Sequence, residues 1–503
     1  MPRFLKTICL ALCILSARPS HALIDACIHS VLWESQVVSV GQEELLAKLT
    51  QGQVTLVVVD GISSGADYAK RLGELFPGAN VIHIQSSDKV SQEFLEGFGF
   101  NAADYQALLV YDGTHAGLER IKYLLEPLRE AGLGAVAGTE TGVIAYDRIA
   151  EALGLENNGS EFSLFRRDKE KEAQAVAPFM HVIPGKSFSK AREALAWVAE
   201  QGWAFPVFVK PTGSAGSFGG HIVRSVAELQ TAFRAHIGKR DPMGMTVERL
   251  LVQPFLLKPG VDEYAVNVVV DKEPGVVVTD LLKYRKRISG DAIVYEASHV
   301  QRFNRQNALH ARLEAAAKDV AKGLKTVEGP LHIEFFVIDG EIYFIEAGAR
   351  PAGGGIPQFA RLCGANDQIT MRLLAMFDRP RFLALAAQGP VLESEGLMID
   401  LLSPARDSVL TWLATEEELR QQIPGFVSID WHKAVGHALG SATDLFSSPG
   451  ILNVKGTPEE IETAYRIVRE LEASGKLYQT RKLKWTDRLR FRIETLVNQF
   501  LPR

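Results

Sequence analysis

Short apolar runs alternate with segments of helical spacing in the first third of the chain. Four of the runs are rich in β-branched and small apolar residues and lie at residues 54–60, 80–85, 107–111 and 134–137. Runs of this kind are typical of strands buried on both faces of a parallel sheet. Helical patterns occur between them, at residues 68–76 and 118–131. We therefore expect an α/β domain over residues 30–160, built on an open, doubly wound parallel sheet.

After residue 160 the pattern changes to a mixed α+β order. Helical spacing at residues 166–177 and 191–201 is followed by a strand at 205–210 and a glycine-rich loop at 211–220. Strand patterns then fill most of residues 250–346, and Asp339-Gly340 between the last two is a strong hairpin signal. We place a second, two-lobed domain at residues 161–380. A C-terminal closing lobe follows at residues 381–480, with a helix at 458–474.

Both ends of the chain carry apolar segments that have more than one interpretation. Arg3 and Lys6 precede an apolar run that ends in a small-x-small site at residues 20–22, so residues 1–22 have the layout of a secretory signal. Two other interpretations fit the same residues: an N-terminal helix, or a translation start that lies at a later residue. Residues 481–503 form a basic amphipathic pattern. We expect a helix there that docks on the body of the protein, and we favour this over contact with a membrane.

Composition narrows the class of protein. The chain has 503 residues, 47% hydrophobic and 23% charged, with a formal net charge of -5. Binding to a nucleic-acid backbone usually needs a basic surface, so no nucleic-acid partner is expected. The four cysteines, Cys9, Cys13, Cys27 and Cys363, have no zinc-site spacing and are expected to be unpaired thiols.

A lysine at the end of a strand precedes the glycine-rich loop. Lys210 closes the apolar run FPVFVK, and Gly213, Ser214, Gly216, Ser217 and Gly219 follow within PTGSAGSFGG. Small residues allow a loop to turn its N–H groups towards phosphate oxygens. The loop is not a Walker A motif, because no Gly-Lys-Ser/Thr follows. A tight turn without a ligand is the alternative interpretation of this loop.

Two acids flank the Asp-Gly hairpin. Glu334 lies in LHIEFF and Glu346 in YFIEAGAR, at similar distances from the turn, so they are expected to face each other across two strands. Like charges opposed in an apolar sheet need a cation between them, and Mg²⁺ prefers such hard oxygen ligands. Two solvated acids on an exposed face are the alternative. Arg350, four residues after Glu346, could grip a carboxylate or phosphoryl group, or cap a loop.

Seven motifs occur in an order and spacing that resemble the ATP-grasp superfamily. They are RRDK at residues 166–169, then FPVFVKP, GSAGSFGG, LLVQPFL, VDEYAV, HIEFF and IEAGARPAGGG. The chain looks closest to the L-amino-acid ligases and related carboxylate–amine ligases, and VAGTETGVIAYDRIAEALGL resembles their first domain. The resemblance covers residues 54–475. It implies an ATP-grasp fold, with ATP and Mg²⁺ as cofactors and Mn²⁺ as an alternative metal.

The resemblance implies roles for nucleotide-binding residues. Lys169 and Lys210 match lysines that contact the phosphates of ATP. Residues 253–256, with Gln253, Phe255 and Leu256, match the hinge whose backbone holds the adenine. Glu263 matches the acid that usually binds the ribose hydroxyls. The glycine-rich loop is expected to close over the reacting groups.

The resemblance also implies roles in the chemical step. Glu334 and Glu346 match the magnesium ligands, and Arg350 matches the arginine that faces the acyl phosphate or the substrate carboxylate. His332 lies where related ligases place a catalytic, substrate- or phosphate-facing group, and His299 is a candidate for a substrate loop within residues 288–304. Gly348 departs from the family, which usually has asparagine there, and this puts the coordination of a second metal in doubt.

These residues would activate a carboxylate as an acyl phosphate and pass it to an amine. We therefore expect an ATP-dependent ligase that joins small-molecule carboxylate and amine substrates, with amino acids favoured. A ligase for another acid, or a non-catalytic nucleotide-binding protein that kept the fold, are the alternatives. Use of ATP favours the cytoplasm, although the signal-like segment keeps secretion open. Such ligases are often dimers, so a homodimer is one expected assembly.

Overall fold

The computed structural model describes residues 41–86, 99–214, 218–241, 244–402, 408–440 and 447–487. Residues 1–22, Gly216, Ser217 and residues 488–503 of the expected tail helix lie outside this part of the chain. Among the described residues, no helix combines the length and apolarity needed to cross a bilayer.

The first domain contains the predicted parallel sheet, in the strand order β3-β2-β1-β4. Its strands are β1 (Thr55–Val59), β2 (Asn80–Gln85), β3 (Ala107–Val110) and β4 (Leu133–Ala137). Its helices are α1 (Gln42–Ala47), α2 (Asp67–Leu75), α3 (His115–Leu125) and α4 (Val143–Ala152). All residues of β1, β2 and β4 are buried, because side chains pack on both faces of the sheet.

A small antiparallel sheet follows, in the order β5-β8-β6-β7. Helix α5 (Lys169–Val176) precedes it, and helices α6 (Ala191–Glu200) and α7 (Val226–His236) share its core. The strands are β5 (Lys186–Phe188), β6 (Val207–Pro211), β7 (His221–Val223) and β8 (Leu250–Pro254). Strand β6 delivers Lys210 to the start of the glycine-rich loop.

The largest sheet has eight antiparallel strands in the order β13-β12-β9-β10-β11-β14-β18-β16. The strands are β9 (Asp262–Asp271), β10 (Gly275–Ser289), β11 (Ala292–Gln301), β12 (Gly329–Ile338), β13 (Glu341–Gly348), β14 (Glu395–Asp400), β16 (Phe426–Trp431) and β18 (Gly450–Gly456). Helix α8 (Ala308–Gly323) packs on one face. The boundary that we placed at residue 380 falls between strands of this one sheet.

The remaining elements link the large sheet to the first domain and complete the C-terminal part. They are α9 (Ile356–Leu362), α10 (Gln368–Phe377), α11 (Arg379–Gln388), α12 (Glu416–Gln422), α13 (Pro458–Ala473), and the strands β15 (Ser408–Leu413), β17 (Ala438–Leu439) and β19 (Tyr478–Lys482), which form a sheet of their own. Ile369 and Leu373 of α10 pack against Leu56 and Val58 of β1. The first sheet is therefore covered partly by a helix from much later in the chain.

Three expectations about local structure were wrong. The charged helix expected at residues 166–177 begins only at Lys169. The Asp168 carboxylate caps it by accepting hydrogen bonds from the N–H groups of Glu170 and Lys171. Residues 288–304, expected to be a substrate loop, contain β11, which pairs with a strand on each side. Residues 481 and 482, expected to begin the tail helix, belong to β19. In the last two cases distant pairing partners decided the structure, which local patterns do not show.

Candidate functional site

Two carboxylates lie side by side on adjacent strands of the large sheet. Glu334 on β12 is the direct register partner of Glu346 on β13, and the register shifts between Glu334 and Phe335. Direct partners in an antiparallel pair project from the same face of a sheet. The two acids therefore lie together as expected, although the turn alone would pair Glu334 with Ile345 and only the register shift makes Glu346 its partner.

Two lysines from different elements meet Glu346. The Nζ atom of Lys210 lies 2.6 Å from Glu346 Oε2, and the Nζ atom of Lys169 lies 3.9 Å from the same oxygen. Burial alone would raise the pKa of Glu346, but the two ammonium groups outweigh it and hold this pKa well below its usual range. Glu346 is therefore ionised at neutral pH, and the site holds more positive charge than this one carboxylate balances.

A third lysine, Lys286 on β10, lies near the acid pair. Its Nζ atom lies 2.5 Å from Glu263 Oε1 and 4.0 Å from the ring centroid of Tyr295. Burial raises the pKa of Glu263 to about 7, with Lys286 opposing the shift. Burial also raises the pKa of Glu334, but Lys286 and a hydrogen bond with His332 outweigh this effect and lower the pKa overall. Glu263, which the resemblance assigns to the ribose, is thus tied to the same charge cluster.

His332 is the centre of a polar chain on the same face of the large sheet. Asn267 Nδ2 donates to Asp280 Oδ1 at 2.5 Å, so its amide oxygen faces His332. The Nδ1 atom of His332 lies 2.7 Å from that oxygen. Its Nε2 atom lies 3.2 Å from both Tyr284 Oη and Glu334 Oε1. This arrangement holds the ring in place and orients the Glu334 carboxylate.

The described part of the glycine-rich loop lies against Lys169. The Nζ atom of Lys169 donates to the carbonyl of Ser214 at 2.6 Å. The Ser214 hydroxyl donates to the carbonyl of Phe218 at 3.1 Å, which draws the two ends of the loop together. Gly219 has φ +70°, and a Cβ there would lie 2.9 Å from Cγ of Pro211. Glycine is therefore required at this position, where the loop returns to the end of β6.

The expected adenine hinge follows β8. Leu251 of this strand pairs with Lys210 on β6. Gln253 is buried, and its Nε2 atom donates to the carbonyl of Ile183 at 3.4 Å. Phe255 and Leu256 are half-buried and lie in the connection between β8 and β9. The segment therefore joins the small sheet that carries Lys210 to the large sheet that carries the acids.

Arg350 is held by an acid from the first domain. Its Nε atom donates to Glu140 Oε2 at 2.8 Å, and Nη1 donates to the carbonyl of Pro351 at 3.0 Å. Glu140 follows β4, so this pair joins the first domain to the end of β13. A Cβ on Gly348 would lie 2.8 Å from Cζ of Arg350 and 3.0 Å from Glu140 Oε2. Glycine in place of the family's usual asparagine thus makes room for the pair.

His299 does not join this cluster. It pairs in register with Lys283, whereas the neighbouring Leu282 shares the face of Ala265, the direct partner of Glu334. His299 therefore projects from the opposite face of the sheet, where its Nε2 atom lies 2.9 Å from Glu395 Oε2.

Sequence reasoning missed three charged residues near the acid pair. Glu140 follows a buried parallel strand, at the sheet edge where α/β domains bind ligands, and that position was a usable signal. Glu172 is one turn beyond Lys169 and accepts a hydrogen bond from the Ala347 N–H at 3.2 Å. Burial raises the pKa of Glu172 to about 8, with Lys169 opposing. Lys286 had no local signal, because only strand pairing places it beside Glu263.

The acid pair fits a magnesium ion that shares its ligands with a nucleotide. Mg²⁺ is usually held by one or two carboxylates and completes its shell with water and substrate phosphates. Within the described residues, no group of three or more histidine, cysteine, aspartate or glutamate side chains could hold a metal ion. Two carboxylates beside several cations are suited to a metal that arrives with phosphate.

The fold and this site define a class of nucleotide-dependent enzyme. Residues 203–358 match the family model described as the ATP-grasp domain. This span contains Lys210, the glycine-rich loop, the hinge, both acids and Arg350. Residues 203–358 of this chain therefore form an ATP-grasp domain, and the α/β first domain followed by antiparallel lobes is the expected architecture.

Relatives place the chain more closely within that class. Dapdiamide A synthase of Enterobacter agglomerans is 27% identical over 428 residues, which cover 83% of this chain and 96% of that protein. D-alanine--D-alanine ligase A of Bradyrhizobium diazoefficiens is 26% identical over 255 residues, 48% of this chain and 62% of that protein. The chain has an ATP-grasp domain and is an ATP-dependent ligase that forms carbon–nitrogen bonds.

Solved structures share the fold at lower sequence identity. An L-amino acid ligase from Bacillus licheniformis has a TM-score of 0.63 at 15% identity, covering 86% of this chain and 100% of that one. An N5-carboxyaminoimidazole ribonucleotide synthetase in complex with ADP has a TM-score of 0.56 at 16% identity. The match covers 85% of this chain and 98% of that one. The whole architecture, beyond the matched domain, is therefore that of ATP-grasp proteins.

Proposed function

We propose that this protein joins two amino acids through an amide bond, with ATP and Mg²⁺, by way of an acyl phosphate. One observation carries the proposal: Glu334 and Glu346 share a face of the large sheet, and Lys169 and Lys210 converge on Glu346. The acids provide hard oxygen ligands, and the lysines provide positive charge for a triphosphate. Glu346 balances only part of the charge of the two lysines, so the site retains positive charge for an incoming phosphate.

The chemical difficulty is the approach of two anions. A carboxylate oxygen must attack the γ-phosphorus of ATP, and the bond from that phosphorus to the bridging oxygen must break to release ADP. Lys169 and Lys210 reduce the repulsion and stabilise the charge on the transferring phosphoryl group. Bound Mg²⁺, held by Glu334 and Glu346, would supply further charge neutralisation. His332 keeps the Glu334 carboxylate oriented through its hydrogen bond.

The second step forms the amide. A neutral amine attacks the acyl carbon, the carbon–oxygen bond to phosphate breaks, and the amine loses a proton. Arg350 lies at the end of β13 and is held by Glu140, so it can orient the acid substrate or its acyl phosphate. The glycine-rich loop would shield the acyl phosphate from water. Catalysis in this scheme requires no covalent intermediate on the protein.

The choice of amino acids rests on the relatives. Two of the proteins described above are ligases of amino acids, an L-amino acid ligase and a D-alanine--D-alanine ligase. A ligase for a different carboxylate is the second candidate, supported by the shared fold of the N5-carboxyaminoimidazole ribonucleotide synthetase. We also propose that the enzyme works in the cytoplasm, where ATP is available, and that it forms a homodimer.

An ADP-release assay over pools of amino acids tests the proposal. The enzyme with ATP and Mg²⁺ should form ADP only when suitable amino acids are present, and mass spectrometry should show a product lighter by one water than the two acids combined. ATP binding without turnover on any acid–amine pair contradicts the ligase reaction. Turnover with other carboxylates alone supports the second candidate.

Replacing Glu346 by glutamine should reduce ADP formation at least 1,000-fold, because the site loses a metal ligand and the charge between two lysines; this is roughly 4 kcal/mol of transition-state stabilisation. The measurement is kcat for ADP release at saturating ATP and Mg²⁺. Glu341→Gln is the matched control, since Glu341 lies on the same strand but is exposed and pairs with Arg312. A kcat for Glu346→Gln within tenfold of the wild type would remove the proposed metal role.

A further inference from the structure

Arg167 is a buried cation without an acidic partner among the described residues. Only 7% of its surface is exposed, and its Nη1 atom has no hydrogen-bond partner. Arg166 is buried as well, but it bonds to Asp147 at 2.8 Å and to the carbonyl of Leu324 at 3.0 Å. Burying a guanidinium without an anion is unfavourable. The two consecutive arginines therefore differ: one completes a structural ion pair, and the other is suited to an anion from outside the chain.

The Arg167 guanidinium faces the start of the glycine-rich loop. A Cβ built on Gly213 would lie 3.4 Å from its Nη1 atom and 3.8 Å from Nη2. Lys169 reaches the same backbone: its N–H donates to the carbonyl of Thr212 at 3.0 Å, and its Nζ atom donates to that of Ser214 at 2.6 Å. Arg167 and Lys169 therefore border one stretch of three residues, 212–214.

We propose that Arg167 binds a phosphate group of ATP, as a third cation beside Lys169 and Lys210. The inference rests on the proposed function, because it places the triphosphate at these lysines. A guanidinium matches two phosphate oxygens with its paired N–H groups. Phosphate is favoured over the substrate carboxylate because Arg167 lies with Lys169 at the loop, whereas Arg350 is held by Glu140. The adenosine portion carries no negative charge to pair with the guanidinium.

Nucleotide affinities test the assignment. Arg167→Met should weaken binding of ADP and of a non-hydrolysable ATP analogue by about ten- to hundredfold in the presence of Mg²⁺, the usual range for charge-assisted hydrogen bonds. Adenosine affinity should change less than twofold. Titration calorimetry measures all three, and Arg234→Met is the matched control, because Arg234 is an exposed arginine on α7 of the same lobe.

Each outcome separates this inference from the proposed function. Wild-type affinity of Arg167→Met for ADP and the ATP analogue overturns the phosphate contact while leaving the ligase intact. An equal loss of adenosine affinity also overturns it. Failure of the wild-type protein itself to bind ATP would instead refute the proposed function.

Thermal stability without nucleotide provides an independent readout. Arg167→Met should melt at the wild-type temperature or higher, because the variant no longer buries an unpaired charge. Arg166→Met should melt several degrees lower, because it leaves Asp147 buried without its cation. A fall for Arg167→Met equal to that of Arg166→Met assigns Arg167 a structural role and contradicts the proposal. If the methionine variant does not fold, Arg167→Lys replaces it in the titrations, and unchanged affinity for both nucleotides there overturns the bidentate contact.

Discussion

Two interacting carboxylates in this site have pKa values shifted in opposite directions. Glu346 has two ammonium neighbours and its pKa is lowered, whereas Glu172 faces one lysine and two further acids, Glu346 and Glu140, and its pKa is raised to about 8. Desolvation raises the pKa of both groups, so the number of cations around each group decides whether its net pKa shift is upwards or downwards. At neutral pH, Glu346 is therefore ionised and Glu172 is largely protonated.

Glu172→Gln should remove one source of pH-dependent instability. The pKa of Glu172 is about 8 in the folded protein and near 4.5 for the unperturbed group, so folding takes up a proton between these values. Wild-type stability therefore falls as pH rises through this window, by up to about 1.4 kcal/mol per pH unit. The advantage of the variant in melting temperature should grow from pH 6 to pH 8, measured without nucleotide. Glu161→Gln, at an exposed glutamate, is the control. A difference that does not vary with pH would argue against the buried titration.

At the scale of elements, the β12–β13 hairpin sets the geometry of the acid pair. Ile338 and Glu341 close the ladder around two residues, and Asp339 and Gly340 have φ +51° and +83°. A type I′ turn requires a left-handed conformation at both residues of its two-residue loop, and the sequence Asp-Gly favours this turn. The shift of register between Glu334 and Phe335 then changes the alignment beside the acids. The turn alone would pair Glu334 with Ile345, so the one-residue shift is what makes Glu346 its partner.

Gly340→Val should destabilise the protein through this turn. A β-branched residue is strained at φ +83°, at a cost of about 1–2 kcal/mol. We expect the melting temperature to fall by about 2–6 °C. Asp339→Asn is the matched control, because asparagine tolerates the left-handed conformation, and its melting temperature should stay within about 1 °C. Equal melting temperatures for Gly340→Val and the wild type would show that the turn does not limit stability.

At the scale of the whole molecule, the site lies where the first domain meets the end of β13. Arg361 of α9 bonds to Asp67 of α2 at 2.6 Å, and the N–H of Gly354 donates to the Ser63 hydroxyl at 3.1 Å. With the pair of Arg350 and Glu140, these contacts join the loops after β1 and β4 to residues 350–361. Those loops flank the switch point of the parallel sheet, where α/β proteins bind ligands. The first domain therefore contributes to the position of the expected substrate arginine.

Gly348→Asn should impair the enzyme, although it restores the residue that is usual in the family. The new side chain would occupy the space of Arg350 and Glu140. We expect kcat/KM for the acid substrate to fall at least tenfold, about 1.4 kcal/mol, with ATP affinity within twofold of the wild type. Gly353→Ala is the control, since its Cβ would approach no described atom closer than 3.9 Å. Higher activity in Gly348→Asn would mean that the pair with Glu140 is not the productive position of Arg350.

The sequence by itself determined the parallel sheet and the Asp339-Gly340 hairpin, whereas the facing of the two acids also needed a register shift in that hairpin. Buried strands such as residues 54–60 and the Asp339-Gly340 turn depend on local periodicity and local backbone geometry, and both can be read along the chain. The motif order also identified Lys169, Lys210 and Arg350 as candidate residues.

Only the tertiary structure decided what surrounds them. Lys286, Glu140 and Arg167 reach the site from a strand, a loop of another domain and the residues before a helix, and His299 projects away from it. The pairing of β10 and β11 selects the face of each side chain, and a change of one residue in register would reverse it. The charge balance of the site is therefore a property of long-range packing, because electrostatic fields depend on distance in space and not on separation along the chain.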